Sequence, residues 1–219
     1  MSKISVLMSV YKKENPEYLR ASLESILVQT RTADEILLIE DGPLTQELYQ
    51  VVAEYQKKCD YLHVHAMEQN VQLGRALAKG VELCQYDLIA RMDTDDIAMP
   101  DRLEKEEAYM EAHPEVDVVG GAIREFNDEG TIDRVKNMPK TQEEILEYVK
   151  VRNPLNHMTV MYRKDSILKA GNYKHFPFLE DYSLWSRMLS QGYQFRNMED
   201  ILVRARTSMG LVKRRSGWA

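Results

Sequence analysis

Three carboxylates crowd into four residues of the stretch ARMDTDDIAMPDRL, at Asp93, Asp95 and Asp96. Like charges at that spacing repel, so the arrangement calls for a partner of opposite sign. Asp93 and Asp95, at alternate positions, can converge on one divalent cation. Mg2+ and Mn2+ prefer hard oxygen ligands and typically combine one or two carboxylates with substrate phosphates and water. The implied ligand is a diphosphate, reached through a metal bridge rather than by the acids themselves. A purely structural use also exists. An acid here can cap the following helix, whose N-terminus favours negative charge, and Asp96 is the residue assigned to that role.

Other residues add to this chemistry. In EILLIEDG, Asp41 can accept a hydrogen bond from a nucleobase N–H, or serve turn chemistry before Gly42 and Pro43. Tyr11 can stack on a base or cover a sheet edge. Arg75, just after Gly74, can reach a phosphate or sit on a helix surface. In FLEDYSLW, Glu180 and Asp181 stand at a helix start. They are either an acidic pair complementing the helix dipole or a source of a general base, taking a proton from a hydroxyl within hydrogen-bond reach. Spacing alone does not choose. His157, in NPLNHMTVMYR, reads as a structural or hydrogen-bonding histidine rather than a metal ligand. His63 and His65, without a third ligand, read as surface residues. Phe176, Phe178, Tyr182 and Trp185 surround the acidic pair. Such a cluster is mostly core, although aromatic faces also bind sugars.

These residues need elements that bring distant segments together. ISVLMSV (4–10) is a continuous apolar run, as expected of a strand buried on both faces. PEYLRASLESILVQT follows as a helix, with Pro16 in its first turn. DEILLIEDG (34–42) is a second buried strand, LTQELYQVVAEYQKKC a helix, YLHVHAM a strand, GRALAKGVELCQ a helix, and DLIARM (87–92) a fourth strand. The alternation predicts an α/β fold, a mainly parallel central sheet with helices on both faces. In such sheets ligands sit outside the carboxyl ends of the strands. Ser9-Val10-Tyr11, Glu40-Asp41-Gly42 and Asp93 to Asp96 are then expected to face one crevice. The second half reads as a helix opened by Pro100, a strand at VDVVGGAIREF, and a hairpin turn at NDEG. A capped helix at TQEEILEYV, a strand at HMTVMYR, short helices ending at Gly171 and Gly192, and a final strand or hairpin at YQFRNMEDILVRAR complete it.

Composition narrows the classes. The 219 residues are 44% hydrophobic, enough for a substantial core in one globular unit. Mean hydropathy is −0.47, and no apolar run approaches the ~18–20 residues of a membrane span. MSKISVLMSV reads as a first strand, not a signal peptide. Cys59 and Cys84 lack metal-ligand spacing and suit a reducing, cytoplasmic compartment. A net charge of −6 argues against nucleic-acid binding. The basic KRRSG (213–217) is either a solvated tail or a peripheral contact with an anionic membrane surface, at the inner face of the cytoplasmic membrane.

Taken together, ISVLMSVY, SLESILVQT, EILLIEDG, NVQLGRALAKG, DLIARMDTDDIAMPDRLEKE, NHMTVMYRK and LEDYSLWSRMLSQG resemble, in order and spacing, the family 2 glycosyltransferases. DTDDIAMPDR and NHMTVMYRK look most like bacterial transferases that build polysaccharide repeat units, including galactosyltransferases acting on lipid-linked acceptors. The resemblance implies the GT-A fold and an inverting hexosyltransferase using a nucleotide-sugar donor, usually a UDP-sugar, and a saccharide or lipid-linked saccharide acceptor. It implies that Ser9, Val10, Tyr11 and Asp41 hold the base, with Arg75 a further nucleotide-side candidate and Asp93 near the ribose or diphosphate. Asp95 becomes the direct ligand of Mn2+ or Mg2+, and Asp181 the general base. Glu180, His157 and Trp185 are acceptor-side candidates. Residues 1–219 would form a single GT-A domain, 1–97 the nucleotide-binding half and 98–219 an acceptor-side half shortened at its C-terminus relative to many members. The alternative is a non-catalytic nucleotide-binding GT-A module partnering another transferase, which the intact Asp41, Asp93, Asp95 and Asp181 set disfavours. A receiver domain would need its acidic pair where Ser9-Val10-Tyr11 stands, and a nucleotidyltransferase a glycine-rich loop in place of VYKKENPEY.

Overall fold

The first strand, β1 (Ile4–Val10), turns Ile4, Val6, Met8 and Val10 into one core and Leu7 into the other, the period of two that a strand buried on both faces requires. The computed structural model to which it belongs describes residues 2–207. Helix α1 (Pro16–Leu27) starts at Asn15, whose side chain accepts from the Glu17 N–H, with Pro16 in its first turn. Strand β2 (Glu35–Glu40) is buried throughout. Then come α2 (Gln46–Lys58), β3 (Leu62–Ala66), α3 (Leu73–Leu83) and β4 (Leu88–Met92). These four strands run in the order β3-β2-β1-β4, all parallel. Apolar faces of α1 and α2 close one side of the sheet, and that of α3 closes the other.

Beyond β4 the sheet continues with a change of direction. It is built from β5 (Ile97–Ala98), β6 (Val118–Phe126), β7 (Asp133–Lys136), β8 (Met161–Arg163) and β9 (Phe195–Arg206). β8 pairs antiparallel with β4 and β6, β9 runs parallel to β6, and β5 and β7 pair antiparallel with β9 and β6. Helix α4 (Arg102–Ala112) adds Leu103 and Met110 to the first core. Helices α5 (Gln142–Tyr148), α6 (Lys164–Lys169) and α7 (Glu180–Ser190) cover the second. The Thr141–Glu144 capping box opens α5 as expected.

Two expectations change. The HMTVMYR segment is not one strand: His157–Thr159 is a 3-10 turn, and only Met161–Arg163 pairs. Thr159 Oγ1 donates to the Asn156 carbonyl at 2.8 Å and accepts from Gly121 N at 3.0 Å, local bonding that competes with the ladder. The last segment takes the strand form of the two expected for it, and the change lies beside it: the two-residue β5 has no counterpart in the sequence pattern.

Gly42 shows how tightly the chain turns at the end of β2. Its φ is +82°, and a Cβ there would lie 2.5 Å from Asn70 N. Gly42→Ala is expected to cost about 2–4 kcal/mol from left-handed strain and backbone collision, read as a lowered urea midpoint at unchanged slope.

Candidate active site

The carboxyl ends of β2, β1 and β4 stand side by side, so the three polar strand ends share one edge of the sheet. Cross-links hold them together. Asp41 N donates to Val10 O at 2.8 Å, Thr94 Oγ1 donates to Glu14 at 2.6 Å, and Ser22 Oγ donates to Asp93 O at 2.8 Å. Tyr11 is 44% exposed on this edge, whereas the Val10 side chain is wholly buried and offers only its backbone. Ser9 is partly buried, and Arg75 lies exposed in the first turn of α3.

At one end, Asp41 is 4% exposed beside a cavity of about 330 Å3 lined by Lys12, Gly42, Pro43, Glu68, Gln69 and Asn70. Its carboxylate accepts from Asn70 Nδ2 at 2.8 Å and Val71 N at 2.6 Å. Each carboxylate oxygen can accept a second bond, so the group both shapes this wall and retains acceptor capacity. Burial raises its pKa, against the Val71 and Gln72 backbone bonds. Gln72, held at φ 72°, turns the chain into α3. Sequence reasoning misses Asn70, because its role depends on a partner in another loop, the one that follows β2.

In the middle, carboxylate oxygens of Asp93, Asp95 and Asp96 lie within 4.8 Å of one another. The three are not equivalent. Asp96 is 2% exposed and accepts from Arg206 N at 2.6 Å, tying β9 to this edge. It does not cap the next helix, which starts from Asp101; the distance in sequence between Asp96 and that helix explains the correction. Asp93 pairs with Arg91. Among the described residues the Asp95 carboxylate meets no side-chain donor; Arg206 Nε donates to its backbone carbonyl instead, at 3.1 Å. Burial first, then the charges of Asp93 and Glu14, push its pKa up to about 7. Hard oxygens, close spacing and uncompensated charge fit a divalent cation of the Mg2+ or Mn2+ kind.

At the other end, Asp181 sits in the first turn of α7, 9% exposed. Asn153 Nδ2 donates to Oδ2 at 2.6 Å and Tyr182 N to Oδ1 at 2.7 Å. His157 Nδ1 is 3.8 Å from Oδ2, and its Nε2 is 2.9 Å from the Tyr173 hydroxyl. Burial holds the His157 pKa well below its ordinary value, aided by Arg91, so the ring is neutral. Burial raises the pKa of Asp181, opposed by its hydrogen bonds and by Arg91. Glu180, 8% exposed, is raised by burial and then by Asp181. A carboxylate so aimed and desolvated can serve as a general base.

The aromatic residues divide sharply. Trp185 is completely buried, edge-on to His157, Tyr173 and Phe195 at centroid distances of 6.1, 6.2 and 5.7 Å. It is therefore no platform for an acceptor sugar, since its ring faces are spent on the core, and it backs the Asp181 pocket instead. Phe176 and Phe178 are not core: they are 54% and 95% exposed on the loop leading into α7.

A family model described as "Glycosyl transferase family 2" matches residues 5–175. The chain is 43% identical over 214 residues to the amylovoran biosynthesis glycosyltransferase AmsE of Erwinia amylovora, covering 98% of this chain and 80% of the relative. It is 35% identical over 221 residues to the UDP-Gal:alpha-D-GlcNAc-diphosphoundecaprenol beta-1,3-galactosyltransferase of Escherichia coli, covering 98% and 78%. Among solved structures, S. aureus TarS 1–349 in complex with UDP-GlcNAc superposes with a TM-score of 0.76 at 20% identity, over 95% of this chain. This chain spans 59% of that one, and the likeness establishes a common fold. No helix among the described residues is long and apolar enough to cross a membrane; the basic cluster at 213–217 lies outside the described residues.

Proposed function

The chain belongs to glycosyl transferase family 2, with the GT-A fold, and from that premise we propose that it is an inverting glycosyltransferase moving a hexose from a UDP-sugar to a saccharide acceptor in polysaccharide biosynthesis. The observation that carries this reading is Asp181: a buried carboxylate, aimed by Asn153 and the Tyr182 N–H, close enough to the Asp93 side of the edge that Arg91 acts on both.

In this reading residues 1–97 form the donor half and residues 98–219 the acceptor half. Uracil occupies the cavity beside Asp41, with Ser9, the Val10 backbone and Tyr11 holding it from the neighbouring end of β1, and Arg75 reaches the nucleotide from α3. Asp93 faces the ribose or diphosphate, and Asp95 holds Mn2+ or Mg2+. A cation bound there would offset charge on the departing diphosphate. Asp181 takes the proton from the acceptor hydroxyl. The oxygen forms a bond to the anomeric carbon as the bond from that carbon to the diphosphate oxygen breaks, and UDP departs. Attack opposite the leaving group inverts the configuration. Glu180 and His157 flank the acceptor. The Escherichia coli relative acts on a diphosphoundecaprenol-linked sugar, and we assign the same acceptor class here, which brings the protein to the inner face of the cytoplasmic membrane. The basic 213–217 cluster is a candidate contact with it.

Calorimetric titration of UDP, GDP and CDP, each with Mn2+ and with EDTA, tests the donor site. Tight binding of UDP that requires Mn2+ is the expected result; failure of all three to bind would refute the donor reading. Asp41→Ala is expected to weaken UDP by about 10–100-fold through loss of a hydrogen bond to a charged acceptor. Unchanged UDP affinity in that variant would remove Asp41 from base recognition.

A further inference from the structure

Arg91 is an anomaly in strand β4. Its neighbours are apolar, it is 1% exposed, and yet it carries a charge. Burying a guanidinium costs several kcal/mol unless its donors are met. Arg102 shows the usual solution. Equally buried, it donates through Nε to Glu106 at 3.0 Å and through Nη2 to Arg91 O at 2.8 Å, with Nη1 against Met92 Sδ. Arg91 is different: Nη2 meets Asp93, while Nε and Nη1 have no hydrogen-bond partner among the described residues. A fold-stabilising arginine would not leave two buried donors unused, each costing about 1–3 kcal/mol.

The register of β4 says where this charge points. Leu88, Ala90 and Met92 belong to the core under α1 and α4. Ile89 belongs to the opposite core with Tyr162, Tyr173 and Trp185. Arg91, two residues on from Ile89, shares that second face. It therefore lies on the face that α7 covers, where its charge acts on Asp181, His157 and Tyr173. The titratable groups around Asp181 are Arg91 from β4, His157 from the 3-10 turn, Tyr173 from the segment after α6, and Glu180 on its own helix. His157 is neutral and Glu180 acidic, so Arg91 is the cation among them.

We propose that Arg91 is a positioning residue shared by both halves of the site: one buried guanidinium holds the Asp93 carboxylate on the donor side and supplies the fixed counter-charge for Asp181 on the acceptor side. The inference rests on the reading of Asp181 as the base, but its physical content is a coupling between two side chains that exists without donor, metal or acceptor. Burial drives Asp181 towards its protonated form and Arg91 opposes that drive. Removing the guanidinium leaves the aspartate desolvated and takes away the cation that acts on it among the described residues.

The test is carboxyl 13C NMR of the aspartate-labelled protein alone, titrated in the wild type, Arg91→Gln and Arg91→Lys, with Asp181→Asn assigning the signal. Arg91→Gln is expected to raise the Asp181 midpoint by about one pH unit, and Arg91→Lys to restore most of it. A folded glutamine variant, shown by a native-like amide spectrum, with an unmoved midpoint overturns the proposal. If glutamine prevents folding, the reciprocal measurement decides. In Asp181→Asn the Arg91 Nε–H resonance must shift and exchange faster; an unchanged signal overturns the coupling. Because no substrate is present, the titration measures the coupling to Arg91 even in a protein that binds no UDP.

Discussion

Asp181→Asn lowers the turnover number for sugar transfer by about a thousandfold and leaves Mn2+-dependent UDP affinity unchanged. Asparagine keeps the size of the side chain and can still accept from Asn153 or the Tyr182 N–H, so α7 begins as before. What it loses is the capacity to take a proton. The pH profile carries the same signature. Burial raises the Asp181 pKa, and a base works only when ionised. Transfer should therefore fall as pH drops through a midpoint above the ordinary carboxylate value of about 3.9, and the residual rate of the variant should lack that limb. Steady-state kinetics across pH, paired with calorimetry of UDP binding, separates the two functions. A variant that keeps more than about a tenth of wild-type turnover is incompatible with the base assignment, since general-base catalysis supplies at least about a hundredfold.

The first half of the fold is legible in the sequence because its strands are buried on both faces. ISVLMSV becomes β1 with the boundaries its apolar run marks, DEILLIEDG contracts to β2 at Glu35–Glu40, and α1 and α2 between the strands carry their own caps. The second half is legible only in part. β5 is two residues long and exists because β9 lies beside it. β9 runs parallel to β6 with register shifts between Gly120 and Ile123, a pairing chosen by tertiary contacts rather than by any turn signal. The 157–163 segment splits because Thr159 bonds locally, which a hydrophobic pattern does not reveal.

The same division holds within the site. Asp41, Asp93, Asp95 and Asp181 are carboxylates at strand ends or a helix start, and residue type plus local position marks them as candidates. Their supports are not legible. Asn153 reaches Asp181 from 28 residues away, and Asn70 reaches Asp41 from 29. Neither pair has a spacing that secondary structure would predict. Trp185 passes for an acceptor-side candidate in the sequence because an aromatic beside an acid has the same composition whether it faces solvent or core. Arg91 does leave a trace there: the one charge inside LIARM, the strand segment of residues 88–92. A buried strand accommodates such a residue only with a partner in the fold.

Asp95→Asn removes the Mn2+ dependence of UDP binding, so that affinity with Mn2+ falls by about a hundredfold or more to the level measured in EDTA. Three aspartates share the cluster, but two are already committed. Asp96 accepts the Arg206 N–H and anchors β9, and Asp93 is paired with Arg91. The Asp95 carboxylate meets no side-chain donor among the described residues, and burial beside Asp93 and Glu14 leaves its charge costly. A carboxylate in that position gains most from a cation and loses most when neutralised. Asparagine retains one carbonyl oxygen but not the charge, and hard divalent ions depend on both. Asp96→Asn supplies the contrast, because weakening the tie to β9 should lower the melting temperature more than Asp95→Asn does. Calorimetry with and without Mn2+, and thermal melts of both variants, measure these effects. If Asp95→Asn binds UDP as tightly as the wild type in Mn2+, the cation is held elsewhere. If Asp96→Asn, though still folded, loses Mn2+ dependence instead, the ligand assignment moves one residue along the chain.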